Sequence, residues 1–355
     1  VLDWQYFVQG GGEHPISKDA RDLKVIVGEE YRPPFYGHVF FIGLSDHLIS
    51  PFTAGYQGSA LESLYPSNTD MFRKALAQGA ATGYVHAFGG EGDPLDGSLG
   101  GAKGFPVDAA LGTIHAVEWS SSTHGAMRVW HHALNNDLRI APVGGEDANT
   151  SLHRHTVIGS VRTYCYLGSE FTASRWIDAI KHGRTFFSNG PLLEFSVNSQ
   201  VPGESVHLPA GGGVITIEGR AWSFLPLTKV MVYQDGKLWK EFPLSGDRMT
   251  AAFREKLRVT QSGWYALAVE GAAANRPVEN SFPQAGTNAV RVYVGDRKIR
   301  NRESAAYFVR WIDKLRSMAE RWPGWGSQEE KDRVFGQFSE ARRIYQRLEA
   351  EAPGR

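Results

Sequence analysis

The chain has 355 residues, beyond the size at which one hydrophobic core keeps growing, so two or three units are expected. Its 38 basic and 38 acidic residues cancel, and no run of Lys or Arg offers a phosphate-tracking face, which argues against nucleic acid as a partner. A single cysteine, Cys165, excludes an intrachain disulfide and a cysteine-based zinc site, so any metal must be held by His, Asp and Glu.

No apolar run approaches the ~20 residues of a membrane span, and no signal region opens the chain. A soluble protein with a small-molecule substrate is the expectation; oligomeric state and compartment stay open. The first residue is Val, and "VLDWQYF" has the character of an apolar strand already under way. Residues upstream are therefore expected, and an export signal would lie there if one exists.

Eleven of the twelve His precede residue 183, which assigns the chemistry to the first half. There short apolar runs alternate with helical ones, as βα units do. The expected strands are 24–27 (KVIV), 38–44 (HVFFIGL), 83–85 (GYV), 114–119 (IHAVEW), 140–143 (IAPV) and 162–167 (RTYCYL). Helices are expected after the cap residues Thr69 and Thr172, stopping at Gly79 and Gly183, and over 125–136. Strands followed by helices favour a mostly parallel, barrel-like sheet. The glycine-rich stretch 88–106 is too long for an ordinary connection and is expected to be a functional or mobile loop.

After 188–191 (SNGP) the period becomes two, and Asp235-Gly236 marks a two-residue hairpin turn, so a β-sandwich is expected. From Ser304 the period is helical again. A second helix opens at Ser327 with Glu330 three residues on, a capping-box pattern. The two form a hairpin expected to dock on the sandwich through Trp311, Phe335 and Phe338. The expected units are thus 1–190, 191–300 and 301–355.

Three expected strands run directly into metal donors: Glu29 and Glu30, then His86, then Glu146 and Asp147. Strand C-termini in a parallel β/α barrel converge on one rim, and oxygen plus imidazole donors suit zinc, manganese or iron. His38 begins a strand instead of ending one, a position equally compatible with a ligand and with an ordinary hydrogen-bonded side chain. His153 and His155 follow Asp147 closely enough to reach the same rim, as ligand, proton shuttle or substrate contact, or as surface residues. His131 and His132 suit core or supporting roles. No G-x-S-x-G elbow, P-loop or H-E-x-x-H motif occurs.

"VIVGEEYRPPFYGHVFFIGL" resembles the G-x-E…GH segment of PHP-superfamily metallohydrolases, named for polymerase and histidinol phosphatase. "GYVHAFGG" and "VGGEDAN" are similar to that superfamily's strand-end His and Asp. "GSVRTYCYL…AIKHGRTFFSNGPLLEFSVN" is similar to its carbaryl-hydrolase-like branch. The resemblance spans residues 24–198. It implies a PHP-type distorted β/α barrel, incomplete at its N-terminus, followed by a β-sandwich and a C-terminal helical hairpin.

It also implies a divalent metal held by Glu30, His38, His86 and Asp147 that activates water on an ester, carbamate or phosphoester. Beside what the resemblance implies, His153 is the candidate for proton transfer or leaving-group contact and Arg162 for an anion contact or a structural pair, with Asn149 and His131 as groups that would orient the ligands. Two features depart from the superfamily: the H-x-H pair of its first strand does not occur ahead of Glu30, and Asp147-Ala148-Asn149 stands where Asp-x-His is usual. The alternative is a degenerate barrel whose sandwich binds glycan or protein through Trp222 and Trp239.

Overall fold

The computed structural model describes residues 26, 28–50, 52–119, 125–145, 147, 158–168, 170–273 and 282–353. The chain divides into two compact units. One comprises residues 1–117, 167–181 and 301–355; the other comprises 118–166 and 182–300. This division differs from the expected one, because the last helices join the first unit and residues 118–166 join the second.

The first unit is built on β1 (Gly28–Tyr31), β2 (Val39–Ile42), β3 (Ala81–Tyr84) and the first half of β4 (Ala116–Trp119). β1 pairs antiparallel with β2, β2 antiparallel with β3, and β3 parallel with β4. The mostly parallel barrel is therefore corrected: among the described residues no barrel closes. The reason is connection length. Residues 32–38 joining β1 to β2 are too few for a parallel crossover, which needs a dozen or more.

Helix α1 (Asn68–Ala77) starts two positions earlier than expected. Ser67 is its cap and forms a capping box with Asp70. The short α2 (Phe105–Ala110) closes the glycine-rich stretch. That stretch is clamped, not loose: Lys314 Nζ donates to the carbonyls of Leu95 (2.7 Å) and Gly97 (2.5 Å), and Tyr307 Oη donates to Asp93 (2.7 Å).

The two C-terminal helices are α5 (Arg302–Glu320) and α6 (Gln328–Glu351); α3 (Gly125–Leu134) and α4 (Ala173–Lys181) precede them. The α5–α6 hairpin was expected on the sandwich. Its contacts instead run within the first unit: Phe308 packs on Phe105, Trp311 Nε1 donates to the Lys103 carbonyl (2.9 Å) and Tyr345 Oη to the Pro106 carbonyl (2.9 Å). At the base of α1, Asp70 accepts from Arg333 (3.0 Å) and Gln337 (3.1 Å). Sequence periodicity identifies an apolar helix face but not what covers it.

In the second unit β4 runs on beside β5 (Ala141–Gly144). β8 (Leu192–Val197), β10 (Gly213–Trp222) and β13 (Thr250–Val259) form one antiparallel sheet. A larger sheet contains β6 (Arg162–Cys165), β7 (Thr185–Ser188), β9 (Ser205–Leu208), β11 (Leu227–Gln234), β12 (Lys237–Glu241) and β14 (Gly263–Gly271). Leu193, Phe195, Val197, Ile215, Ile217, Val230, Val232, Leu267 and Val269 fill one buried cluster, as alternating inward residues of a sandwich do. The hairpin turn at Asp235-Gly236 is present, both residues at positive φ (51° and 83°).

Candidate metal centre

Antiparallel register explains why donors from a strand end and a strand start meet. Glu30 pairs with Phe40, and Tyr31 with Val39, so His38 lies one step beyond β2 on Glu30's face of the sheet. His38 Nδ1 is 3.1 Å from Glu30 Oε1 and 3.3 Å from His86 Nε2, and His86 Nε2 is 3.4 Å from Glu30 Oε1. His86 follows β3, whose alternation would carry it to Tyr84's face. Its backbone leaves that alternation at φ 32°, a left-handed conformation that a side chain other than glycine adopts only when its surroundings impose it.

The loop before His38 is held from beneath. Asn68 Nδ2 donates to the Gly37 carbonyl (3.0 Å) and to Tyr84 Oη (3.1 Å), and Tyr84 Oη donates to Asp108 (2.5 Å). Gly37 sits at φ 106°, and a Cβ there would lie 1.9 Å from the Gly101 carbonyl oxygen, so only glycine fits. Asp108 also accepts from Thr69 (2.6 Å) and Thr113 (3.2 Å). Burial raises its pKa to about 7 in spite of these bonds.

Hydrogen bonds from His38 and then His86 hold the Glu30 carboxyl down at about 2, so it is a carboxylate at neutral pH. The other face of β1 carries Glu29, which is buried and accepts the backbone N–H groups of Ile49 (2.7 Å) and Ser50 (3.3 Å). Alternation thus separates the two adjacent glutamates into a donor and a structural residue. The side chains of Glu30, His38 and His86 are 32%, 24% and 34% exposed, enough to meet solvent and a small ligand.

These three donor atoms all lie within 4.8 Å of one another. Their separations of 3.1 to 3.4 Å match the spacing of about 3.3 Å between neighbouring donors around a tetrahedral ion with bonds of about 2.0–2.1 Å. Two imidazoles and one carboxylate fit zinc, iron or manganese. Three protein donors also leave a position for water, as catalytic sites do.

The remaining sequence candidates are distributed differently. Asp147 belongs to the second unit and is exposed; it is not one of the three clustered donors. Arg162 opens β6 in the second unit with its side chain exposed. Glu146, Asn149, His153 and His155 lie outside the described residues.

His131 belongs to the second unit. It is buried among Trp130, Tyr233 and Trp264, and burial lowers its pKa to about 3, so it is a neutral core residue. The Cys165 thiol is raised to about 12 by burial, in keeping with an inert strand residue.

Two residues escaped the sequence reading. Arg32 Nη1 lies 3.6 Å from Glu30 Oε2, leaving Oε1 to the imidazoles. The signal was its place two residues beyond Glu30, on the same strand face. Glu118 is a buried carboxylate in the apolar β4. A Cβ on Gly145 would lie 2.1 Å from its Oε1, so the glycine after β5 makes room for it. A lone acid within "AVEW" was the visible sign.

No family model matches the chain, and no curated protein aligns with it significantly. Among solved structures, a crystal structure of an engineered protein aligns at 11% identity over 51% of this chain and 49% of that one, with a TM-score of 0.18. At that score the likeness carries no argument about fold or chemistry.

Proposed function

We propose that the protein is a metal-dependent hydrolase of the PHP type, acting on a small ester, carbamate or phosphoester. The observation that carries the proposal is the mutual approach of Glu30 Oε1, His38 Nδ1 and His86 Nε2 to 3.1–3.4 Å. A divalent ion there would polarise a carbonyl or phosphoryl oxygen and lower the pKa of a water toward neutrality.

The chain's own contributions follow from its geometry. Glu30 supplies the one negative charge, and the two imidazoles act as neutral donors once displaced from their bonds to it. The Asn68–Gly37 bond fixes the approach of His38. Arg32 neutralises the outer oxygen of Glu30 and offers a guanidinium to an anionic substrate. Asp147 as a fourth ligand enters on the sequence resemblance alone, and His153 as the proton-transfer group and Arg162 as an anion contact enter on their places in the sequence.

The test loads the full chain with zinc or manganese, measures bound metal by elemental analysis, and assays aryl esters, carbamates and phosphoesters. Stoichiometric metal with metal-dependent turnover supports the reading; metal-free protein after loading sinks it. A second reading, a binding protein, is favoured by an open groove of about 730 Å³ on the sandwich, lined by Glu194, Glu218, Arg220 and Arg254 among others. Trp222, on the same sheet, is 38% exposed, which suits stacking on a glycan ring. Metal binding without turnover, together with saturable glycan binding, would favour it.

A further inference from the structure

The first unit holds a cavity of about 370 Å³ whose walls include Pro34, Phe35, Met318 and Trp322. The volume lies within the range of small-molecule sites. Its aromatic corner is pre-formed: the Phe35 and Trp322 rings meet edge to face at 5.2 Å and 67°, and Trp322 Nε1 is tied to the Glu62 carbonyl at 2.8 Å. Phe35 also meets the Tyr36 ring edge to face at 5.0 Å, which fixes it from the other side.

The charges around this cavity have one sign. Lys103 and Arg321 line it, and no acidic residue does. Arg321 is exposed, with its Nη1 bonded to Ser317 Oγ at 2.8 Å. Lys103 differs. Its main chain is anchored by Trp311 Nε1, its side chain is half-buried, and burial alone pulls its pKa below the usual value. Among the described residues its ammonium has neither hydrogen bond nor ion pair. A partly desolvated cation without a partner is unfavourable, and an anion in the cavity would relieve it.

We infer that this cavity binds a small aromatic carboxylate, its ring against Phe35, Trp322 and Met318 and its carboxylate on Lys103, with Arg321 at the mouth. Edge-to-face ring contacts and a charge-assisted hydrogen bond are the two attractions, and each needs the other to hold one orientation. A bare inorganic anion would leave the apolar walls unused; a neutral ring would leave the ammonium unpaired. Pro34 and Phe35 lie in the link between Glu30 and His38, but nothing in the recognition requires a metal.

The test is calorimetric titration of the full chain with phenylacetate, with phenylacetamide as the neutral isostere and with inorganic phosphate. Phenylacetate is expected to bind at one saturable site, at least tenfold more tightly than either control. Lys103→Met should weaken it at least tenfold and Arg321→Met several-fold. Arg321 is exposed, so that variant keeps the test open should Lys103→Met fold poorly. Binding is expected to be unchanged in a chelator, which separates this inference from the hydrolase reading. Absence of saturable binding, equal binding of the amide or of phosphate, or a folded Lys103→Met that binds like the parent would each overturn the assignment.

Discussion

His38 Nδ1 and His86 Nε2 face each other at 3.3 Å, 48 residues apart in sequence, and both lie within 3.4 Å of the same Glu30 oxygen. On the proposed reading, a cation at the centre of this triangle would take the place of its hydrogen bonds. Glu30→Gln and His86→Ala should each lower zinc affinity by more than the about 10–100-fold typical of losing an outer hydrogen-bond partner. Equilibrium dialysis against a competing chelator measures it, and unchanged affinity in both variants would remove the metal centre.

Gly37 tests whether the loop beneath His38 is a fixed support. Gly37→Ala must accommodate both φ 106° and a Cβ placed 1.9 Å from the Gly101 oxygen, whereas Gly112→Ala faces only φ 67° in open space. The first should cost more than about 2 kcal/mol and the second about 1 kcal/mol. Chemical denaturation of both variants checks the ordering, and Gly37→Ala alone should also weaken metal binding.

Asp108 gives the fold a pH dependence whose sign can be worked out. Its pKa in the folded chain is raised to about 7 from 3.8, so the folded state holds a proton that the unfolded state has released. That stabilising contribution is complete below about pH 4 and is lost as pH rises through about 7. Thermal melts of the parent and Asp108→Asn should therefore draw apart at low pH, with the parent gaining, and converge or invert above neutrality. A difference independent of pH would contradict it.

Helix α5 is bound into the first unit through Phe308, which is fully buried between Phe105 and Tyr345. Phe308→Ala should cost about 3–5 kcal/mol. Hydrogen exchange is the discriminating readout: protection should fall in α1, α2 and α6 while persisting in β10 and β13. Loss confined to β10 and β13 would instead place the hairpin's support on the sandwich.

Much of this was legible locally. The positions of β2 to β6, the helices at 68–77 and 173–181, and the Asp235-Gly236 turn follow from alternation, caps and turn chemistry that neighbouring residues impose on one another. Glu30, His38 and His86 were readable as donor types at strand termini. Their assembly was expected from parallel strand ends, yet it comes from two antiparallel pairings, which is why His38, at a strand start, belongs with the other two.

Residue chemistry and local period by themselves determined the candidate donor types, the sandwich alternation and the amphipathic hairpin, because each depends on contacts within a few positions. Tertiary structure decided the rest: the antiparallel β1–β2–β3 pairing in place of parallel strands, the docking of α5 and α6 against α2, and the role of His131 as core. These depend on which surfaces meet across a hundred residues or more, and an apolar stripe or an imidazole is satisfied equally well by several partners until the fold selects one.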